Sequence, residues 1–574
     1  MAPNNIATGT AELDATVVVV GAGPVGLAAA ILLARRGRRS VVVERRSGPL
    51  RHPAAHAINA RTLEIFRQAG LDMDAINALA ADPDDSGHVN FLTRLDGTLI
   101  GRLPYENQGD ECLAVTPTPL RNISQHKLEL LLAEVAEEDP LIDLRYSTEW
   151  QESRQSAGSV TSTVHDLRRD EITQIRSRYL LAADGAGSRV RKSLGIEMEG
   201  PPRIESFVAI HFEADLRSTV ADRTGVLHFV LEPGADGVLV AHDLDRDWVF
   251  MLTFDPELES IDDYDTDRCQ ALIRNAIGAV DVDVSVVDVG SWHMSAQVAE
   301  NMRDRHVFLI GDAAHRFPPT GGMGLNTGVG DVHGLVWKLC AVEDGWAPET
   351  LLDTYEAERR PIARLNCEQS TANAFKLALL FEALGIEEGS TAADLAEVLA
   401  DPNRSEVIAD AVAEQAPHFD MLGLQLGYVY ERGALSRHGD PPAPLGDPSR
   451  FDPRAEVGAR LPHDWIGPGR STLDLVATDA LTLLSSADHD RWAAALEGTE
   501  VPVAHVRLGL DVEVSAEWLT GCSLHDGGAL LVRPDHHVAW RVDDLRAGAD
   551  SQLMAALDEV LGSRQPPYDS RIRS

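Results

Sequence analysis

One glycine pattern, set between a strand pattern and a helix pattern, constrains this chain more than any other feature. Residues 16–20 form a continuous β-branched run, which is typical of a buried parallel strand. Gly21-Ala-Gly-Pro-Val-Gly26 follows, then an Ala- and Leu-rich helix pattern and a second strand pattern over residues 40–43. This order predicts a β-turn-α-β unit. We therefore interpret the apolar run 17–34 as a strand, a turn and a helix, although its length alone would allow a membrane span.

The same unit predicts a dinucleotide site. Gly21 permits a tight turn, Gly23 lets the backbone approach a pyrophosphate, and Gly26 allows close packing of helix on strand. The free amides of a helix that begins near Pro24 and Val25 would hold the phosphates. Glu44, at the end of the second strand, suits ribose hydroxyls and would repel a 2′-phosphate, which favours FAD or NAD. The alternative is an ordinary glycine turn beside a buried carboxylate.

Two further motifs each follow a short strand pattern. Asp-Gly-Ala-Gly-Ser-Arg-Val-Arg occupies residues 184–191, and Gly-Asp-Ala-Ala-His-Arg-Phe-Pro-Pro occupies residues 311–319. With the first motif, in this order, they resemble class A flavoprotein aromatic hydroxylases of the para-hydroxybenzoate-hydroxylase-like fold. Residues 52–64 and 418–427 resemble the phenol and chlorophenol hydroxylases of the 2,4-dichlorophenol 6-monooxygenase type. The likeness extends over nearly the whole chain.

The resemblance implies an α/β protein: a Rossmann-type FAD-binding domain with an inserted antiparallel-sheet substrate domain and a thioredoxin-like C-terminal domain. We expect the FAD-binding domain in three parts, the substrate domain in two, and a helical segment with a linker before the C-terminal domain. The expected boundaries are 14–85, 111–195 and 296–370 for the FAD-binding parts, 86–110 and 196–295 for the substrate parts, 371–450 for the helical segment and linker, and 451–574 for the last domain.

The motifs and the resemblance together give the expected cofactor residues. They are Gly21, Gly23, Pro24, Val25, Gly26, Glu44, Arg45, Gln125, Asp184, Asp312, Pro319, Gly322, Gly324, Leu325 and Asn326. By resemblance, Asp312 binds the ribityl chain. The same resemblance implies that the helix starting near Gly322 points its positive end at the flavin N1–C2=O edge, where it would stabilise the reduced anion.

The implied activity is hydroxylation of a phenol-like aromatic ring by FAD, NAD(P)H and O₂ through a flavin C4a-hydroperoxide. Flavin supplies this chemistry, and the protein supplies orientation, dryness and electrostatics. A base beside the substrate hydroxyl would speed ring attack, and His56 is our candidate, since imidazole titrates near physiological pH. A structural hydrogen-bonding role for His56 is the alternative. His315 is a second candidate base, although a structural place in the FAD loop suits it better.

Other residues are expected to line the substrate site. They are His228, His242, Asp243, Trp292 and Pro318, together with His56. Three positions depart from the family pattern, at Ala54, Gly330 and Gly334. We expect the groups lost there to lie close to the flavin or its access route.

Composition narrows the classes of binding partner that we expect. A net charge of −39, from 51 basic and 90 acidic residues, argues against nucleic acid and anionic membrane as partners. The five cysteines are scattered without metal-site spacing, so we expect no metal and a reducing cytoplasmic location. Residues 1–5 have no basic stretch, so we expect no signal peptide. The oligomeric state stays open, with a homo-oligomer as one candidate. Cys522 has no partner for thioredoxin chemistry, so the last domain is expected to serve packing or oligomerisation.

Three other functions remain open. They are a flavin halogenase or FAD-linked reductase on a related scaffold, a Baeyer-Villiger oxygenase, and a non-catalytic FAD-binding module. The sequence has no W-x-W-x-I-P stretch of the kind that halogenases of this scaffold usually carry.

Overall fold

The structure is a computed structural model that describes residues 13–106, 108–278, 281–437, 441–524, 527–544 and 549–562. The expectation about residues 1–5 lies outside these ranges. Within them, no helix combines the length and the apolar character that a membrane crossing requires.

The strands, in chain order, are β1 Ala15–Val20, β2 Ser40–Val43, β3 Ala57–Ile58, β4 His88–Leu92, β5 Leu99–Pro104, β6 Arg121–Asn122, β7 Ile142–Arg145, β8 Thr148–Ser156, β9 Ser159–Asp166, β10 Glu171–Ala182, β11 Met198–Glu199, β12 Glu205–Glu213, β13 Leu227–Val230, β14 Gly237–Asp243, β15 Asp247–Thr253, β16 Ser285–Met294, β17 Gln297–Ala299, β18 Arg303–Asp304, β19 Val307–Leu309, β20 His315–Arg316, β21 Trp465–Gly467, β22 Arg470–Ser471, β23 Leu481–Ser485, β24 Val503–Arg507, β25 Gly527–Val532 and β26 Val538–Asp544.

The α-helices are α1 Pro24–Arg35, α2 Ala60–Gln68, α3 Met73–Ala78, α4 Pro83–Ser86, α5 Gln125–Glu138, α6 Arg189–Ser193, α7 Thr266–Ile277, α8 Met323–Glu343, α9 Thr354–Leu384, α10 Ala392–Ala400, α11 Ser405–Ala413, α12 Ala416–Phe419, α13 Leu422–Gly427, α14 His489–Leu496, α15 Ala516–Gly521 and α16 Ala549–Val560. Short 3₁₀ helices cover Asp110–Ala114, Ile261–Asp263, Gly311–Ala313, Glu349–Asp353 and Thr472–Leu475.

The first sheet runs in the order β18-β19-β10-β1-β2-β7, and β19, β10, β1, β2 and β7 are parallel. Its central strands are buried on both faces, which explains their unbroken β-branched sequences. In register, Val20 lies beside Ala182, and Ala182 beside Leu309. The three motifs therefore begin at the carboxyl ends of three adjacent strands, where open α/β sheets bind ligands. The predicted Rossmann-type unit is confirmed.

The second sheet has seven strands in the order β16-β12-β15-β14-β13-β4-β5. Alternate residues of β12 point to opposite faces: Val208, Ile210 and Phe212 pack in the core shared with α7, whereas Phe207 and His211 face the other way. This sheet is the antiparallel substrate sheet that the sequence predicts, except that β4 and β13 pair in parallel.

The last sheet, β24-β23-β25-β26, carries α14, α15 and α16 and gives the C-terminal domain its thioredoxin-like α/β architecture. Buried charges join this domain to the rest of the chain. The Arg533 guanidinium donates to Glu358 of α9 at 2.7 and 2.8 Å, and Arg460 donates to Glu64 of α2 at 2.9 Å. Cys522 is fully buried, and burial raises the pKa of its thiol to about 12. This domain is therefore firmly packed against α2 and α9.

Candidate functional site

The three predicted motifs meet at one place. A Cβ on Gly21 would lie 2.3 Å from the Ala183 carbonyl oxygen, and one on Gly311 would lie 3.3 Å from the Val25 side chain. Gly21 also has a φ of +105°, a conformation that only glycine adopts readily. Glycine is thus needed here for backbone packing between the motifs as well as for the turn.

The phosphate end of the site is formed by the start of α1. Among the residues that the structure describes, no side chain caps this helix at Gly23, and a Cβ at Gly23 would meet no atom within 4 Å. Uncapped amides beside open space form a ready anion site. The Glu44 carboxylate accepts from the amides of Ala22 at 3.0 Å and Arg46 at 2.8 Å, and these hydrogen bonds help to lower its pKa against the opposing effect of burial. The Arg46 guanidinium also pairs with this carboxylate, at 3.2 Å between Arg46 Nε and Glu44 Oε1, so the charge that would meet a ribose hydroxyl is held in place.

Asp312 is the unsatisfied acid of the site. Its residue is solvent-exposed, yet protein atoms crowd the carboxyl, and this desolvation raises its pKa. No hydrogen bond reaches it from the part of the chain that the structure describes. Asp184 differs, since both its oxygens serve α6: they accept from Ser188 Oγ at 2.5 Å and from the Arg189 amide at 2.7 Å. Asp312 therefore fits a hydroxyl-rich ligand, whereas Asp184 supports the loop.

The start of α8 is fixed against β3. Gly322 has a left-handed φ of +61°, and the helix has no side-chain cap. Asn326 Nδ2 donates to the Ala57 carbonyl at 2.8 Å, and its Oδ1 accepts from the Asn59 amide at 3.1 Å. Gly324 adds open space in the first turn. This helix end is therefore free to face an electron-rich group, and β3 is fixed directly beside it.

His56 immediately precedes β3. Its Nδ1 lies 3.0 Å from Asn122 Oδ1, which assigns the proton to Nδ1 and leaves the Nε2 lone pair free. Desolvation lowers the pKa of the imidazole. His56 thus combines a fixed ring, a free basic nitrogen and a position beside the start of α8.

The substrate sheet supplies rings opposite His56. The ring centroid of His56 lies 5.8 Å from that of Tyr105 and 6.0 Å from that of His242. Phe419 joins through Tyr105, at 6.3 Å between ring centroids. We call His56, Phe91, Tyr105, Phe229, His242 and Phe419 the ring cluster.

Several predicted substrate residues lie elsewhere. His228 is fully buried on the opposite face of the sheet, where it contacts Asn90 and the Gly225 carbonyl, because its neighbours in β13 face the ring cluster. Asp243 is exposed at the end of β14 and accepts from the Asp245 amide. The described contacts do not join these two residues to His56, and their expected contact with substrate stays a prediction.

Trp292 stacks on Phe207 at 4.7 Å between ring centroids, on the edge strand β16. Pro318 is buried in the loop before α8, and Pro319, next to it, is exposed. The described contacts do not join Trp292 or Pro318 to His56.

The remaining cofactor candidates have mixed placements. Gln125 contacts the residue before His56: its Oε1 accepts from the Ala55 amide at 3.3 Å. Arg45 is exposed, and it is Arg46 that pairs with Glu44 and Glu129. Leu325 is half-buried in the first turn of α8.

The three positions that depart from the family pattern also lie in different surroundings. Ala54 is exposed in the loop before His56. Cβ atoms on Gly330 and Gly334 would meet Arg359 at 3.0 and 3.5 Å, and the next neighbours of Gly334 are Tyr430 and Asp535. The expectation that these two glycines lie near the flavin is wrong, because their side of α8 faces α9 and the C-terminal domain.

Sequence reasoning missed the residue that supports the third motif. Asp331 accepts from the Gly311 amide at 3.1 Å and from Arg359 Nε at 2.8 Å, and its Oδ2 lies 2.7 Å from His315 Nε2. His315 is thus structural. Arg359 lies in the charged run Tyr-Glu-Ala-Glu-Arg-Arg-Pro at residues 355–361, so the sequence held a signal for it. No signal in the sequence pointed to Asn122 or Tyr105.

The chain is similar to known proteins over almost its full length. Residues 14–370 match the FAD binding domain family, and residues 454–564 match the family described as the aromatic-ring hydroxylase C-terminal domain. A Streptomyces halstedii protein assigned as a polyketide hydroxylase is 34% identical, covering 92% of this chain and 93% of its own. The 2,4-dichlorophenol 6-monooxygenase of Cupriavidus pinatubonensis is 31% identical over 98% of both chains. A crystal structure of the flavin-dependent monooxygenase PieE with FAD and substrate superposes with a TM-score of 0.89 at 33% identity, covering 97% of this chain and all of that one.

Proposed function

Because this chain belongs to the FAD-dependent aromatic-ring hydroxylases, we propose that it uses NAD(P)H and O₂ to hydroxylate a phenolic ring held at His56. Its relatives include enzymes named for a chlorophenol and for polyketides, and the first of these names supports a phenolic substrate. The observation that carries the proposal is the position of His56, between the start of α8 and the ring cluster.

FAD supplies the redox chemistry when it is bound: it takes electrons from NAD(P)H, activates O₂ and transfers one oxygen atom to the ring. Ala22 and Glu44, with the uncapped start of α1, would hold its adenosine and phosphate portion. Asp312 would accept hydrogen bonds from its ribityl hydroxyls, which would give that carboxylate the partners it lacks. The start of α8 would stabilise negative charge on the reduced ring.

The role of His56 is to take the phenolic proton. A phenolate ring is more electron-rich than a phenol ring, so it reacts faster with an electrophilic oxygen. With Nδ1–H directed at Asn122, the free Nε2 can accept the substrate proton, and the Asn122 carbonyl stabilises the imidazolium that forms. Burial lowers the pKa of His56, which keeps the base unprotonated at neutral pH.

The ring cluster would hold the substrate and exclude water. Phe91 and Phe229 stack at 5.1 Å between ring centroids, and both are buried. Such apolar walls favour an aromatic substrate, and they strengthen every charge interaction at the reacting edge.

The test is a panel of phenols assayed with NADH and with NADPH on the FAD-loaded protein. Oxygen uptake, nucleotide oxidation and product mass would be followed together. We expect substrate-stimulated oxidation and products heavier by one oxygen atom on the ring. Ring-expanded or lactone products would indicate Baeyer-Villiger chemistry, a halide requirement would indicate a halogenase, and nucleotide oxidation without substrate modification would refute the hydroxylase.

A further inference from the structure

His242 is a buried polar side chain that the structure leaves without a partner. The residue is 8% exposed, and its Nδ1 is buried with no hydrogen bond to any residue in the described ranges. Buried polar groups in folded proteins are almost always satisfied, so an exception calls for an explanation. Because His242 contacts His56, a ligand at His56 is the nearest source of a partner.

The backbone turns this side chain toward His56. The pairing of β14 with β15 shifts register between Ala241 and Asp243, at His242 itself. Ala241 packs into the core on the far face of the sheet, with α7. Because neighbouring residues of a strand point to opposite faces, His242 lies on the other face, with Val238 and the ring cluster.

The surroundings keep His242 neutral. Burial lowers its pKa to about 3, and the neighbouring charges come from His56, Asp247, His126 and His211. Asp247 is itself engaged by His211, at 2.7 Å between Oδ1 and Nε2. A neutral imidazole offers one N–H donor and one lone pair, so it can pair with either a hydroxyl or a carbonyl.

The geometry of the His56 and His242 imidazoles limits where a ligand group that pairs with His242 can lie. Their centroids are 6.0 Å apart with an interplanar angle of 83°. Since stacked rings lie at least about 4.5 Å apart, a substrate ring between them would need a gap of about 9 Å. A substrate that hydrogen-bonds both imidazoles therefore presents the same edge to them. The two groups that it bonds through are then at neighbouring positions on the substrate ring.

We propose that His242 is a specificity-determining residue that hydrogen-bonds a second oxygen substituent, ortho or peri to the hydroxyl held at His56. The substrate class is then an aromatic with two adjacent oxygens, such as a catechol, a peri-dihydroxylated fused ring or a hydroxyquinone. This inference rests on the proposed function, because it takes His56 as the residue that binds the reacting phenol.

The experiment compares matched substrate pairs, phenol with catechol and 1-naphthol with 1,8-dihydroxynaphthalene. The variants are His242→Phe, which removes the hydrogen bond at similar size, and His242→Gln, which keeps a donor and an acceptor. His293→Phe, on the exposed edge strand β16, is the control. Binding is read from the flavin absorption change of the oxidised holoenzyme, and turnover from kcat/KM for hydroxylated product.

We expect the wild type to bind the dioxygenated member of a pair about tenfold more tightly, which corresponds to one hydrogen bond. His242→Phe should lose this preference, whereas His242→Gln and His293→Phe should keep it. If His242→Phe does not retain FAD, His242→Leu replaces it, and a tenfold loss on the dioxygenated member alone supports the proposal, whereas a preference that His242→Leu keeps overturns it.

Two results would overturn it: a wild type that does not distinguish the members of either pair, or a His242→Phe variant that still does. Failure of the proposed function would be seen separately, as a preserved binding preference without hydroxylated product from any substrate.

Discussion

Asp331 of α8 and Arg359 of α9 form a fully buried ion pair, with Arg359 Nε 2.8 Å from Asp331 Oδ1. The other oxygen of Asp331 accepts from the Gly311 amide, one residue before the unsatisfied acid Asp312. Arg359 also donates to the Tyr430 hydroxyl, and the Tyr430 ring centroid lies 4.3 Å from that of His537 in the C-terminal domain. The loop that would hold the flavin ribityl chain is thus supported by an ionic network that reaches the last domain.

Replacing Asp331 with Asn should therefore weaken both the fold and the flavin site. Loss of the charge leaves the Arg359 guanidinium buried and unpaired, which costs about 3–5 kcal/mol of unfolding free energy. Urea unfolding and FAD retention during gel filtration would measure both effects. The matched control is Asp344→Asn, whose surface pair with Arg38 is worth at most about 1 kcal/mol. Equal stability of the two variants would show that the buried pair does not support this loop.

The fingerprint glycines should separate into a packing role and a ligand role. A Cβ at Gly26 would lie 2.0 Å from the Gly21 carbonyl oxygen, so Gly26→Ala should destabilise even the apoprotein, by at least about 1–3 kcal/mol. Gly23→Ala meets no protein atom and should leave the apoprotein stable within about 0.5 kcal/mol, while FAD affinity falls. Thermal unfolding of apoprotein and flavin titration distinguish the two. An intact FAD affinity in Gly23→Ala would place the pyrophosphate elsewhere.

Asp312→Ala should release flavin without harm to the empty protein. Asp312 is exposed and no described residue hydrogen-bonds its carboxyl, so its removal should change the unfolding free energy of the apoprotein by no more than about 0.5 kcal/mol. Loss of hydrogen bonds between a charged group and the ribityl hydroxyls should weaken FAD binding about 10- to 100-fold. Asp410→Ala, on the exposed surface of α11, is the control. A yellow Asp312→Ala protein with unchanged affinity would contradict the assignment.

His56 should set the acid limb of the pH–rate profile. Burial lowers its pKa from 6.5, and the active base is the deprotonated form, so kcat/KM should rise with pH to a plateau reached through a pKa below 6.5. His56→Ala should lose this limb and about 10²–10⁴ in hydroxylation rate while FAD stays bound. A phenol that is already ionised at the assay pH should be affected much less. An unchanged profile in His56→Ala would exclude it as the base.

Buried neutral histidines predict a fold that is sensitive to acid. Burial lowers the pKa of His228 and His537 to about 4 and that of His418 to about 3, from an ordinary 6.5. At a pH between the folded and the unfolded pKa values, the unfolded chain binds more protons than the folded chain. The full contribution of these histidines to stability is therefore present above about pH 6.5, and it falls as the pH drops. Each such histidine should cost about 1.4 kcal/mol at pH 5.5. Chemical denaturation at pH 7.5 and 5.5 measures the sum, and His418→Phe should reduce the difference.

Local patterns predicted the part of the site that local backbone forms. Gly21 to Gly26 and Glu44 lie within one β-turn-α-β unit, so their spacing along the chain largely fixes their spacing in space. The two later motifs could be joined to it because each follows a parallel strand of the same sheet. Such strands present their carboxyl ends at one edge.

The substrate side was harder to predict, as His228 and His242 show. Both lie in strands of the predicted sheet. The alternation of side chains along a strand tells only that neighbouring residues face opposite ways. His228 lies on the buried face beside Trp248, whereas His242 lies on the face that meets His56. Nothing in the local sequence of either strand states which of its two faces meets His56.

By itself, then, the sequence determined the Rossmann-type unit, the positions of Glu44 and Asp312, and the family to which the chain belongs. Only the tertiary structure decided that Asn122 orients His56, that Asp331 and Arg359 support the third motif, and that His242 completes the ring cluster. The physical reason is that dinucleotide binding uses backbone amides and glycines whose conformation is local. The substrate side is made by side chains distant in sequence, whose meeting depends on sheet register, strand face and the packing of domains.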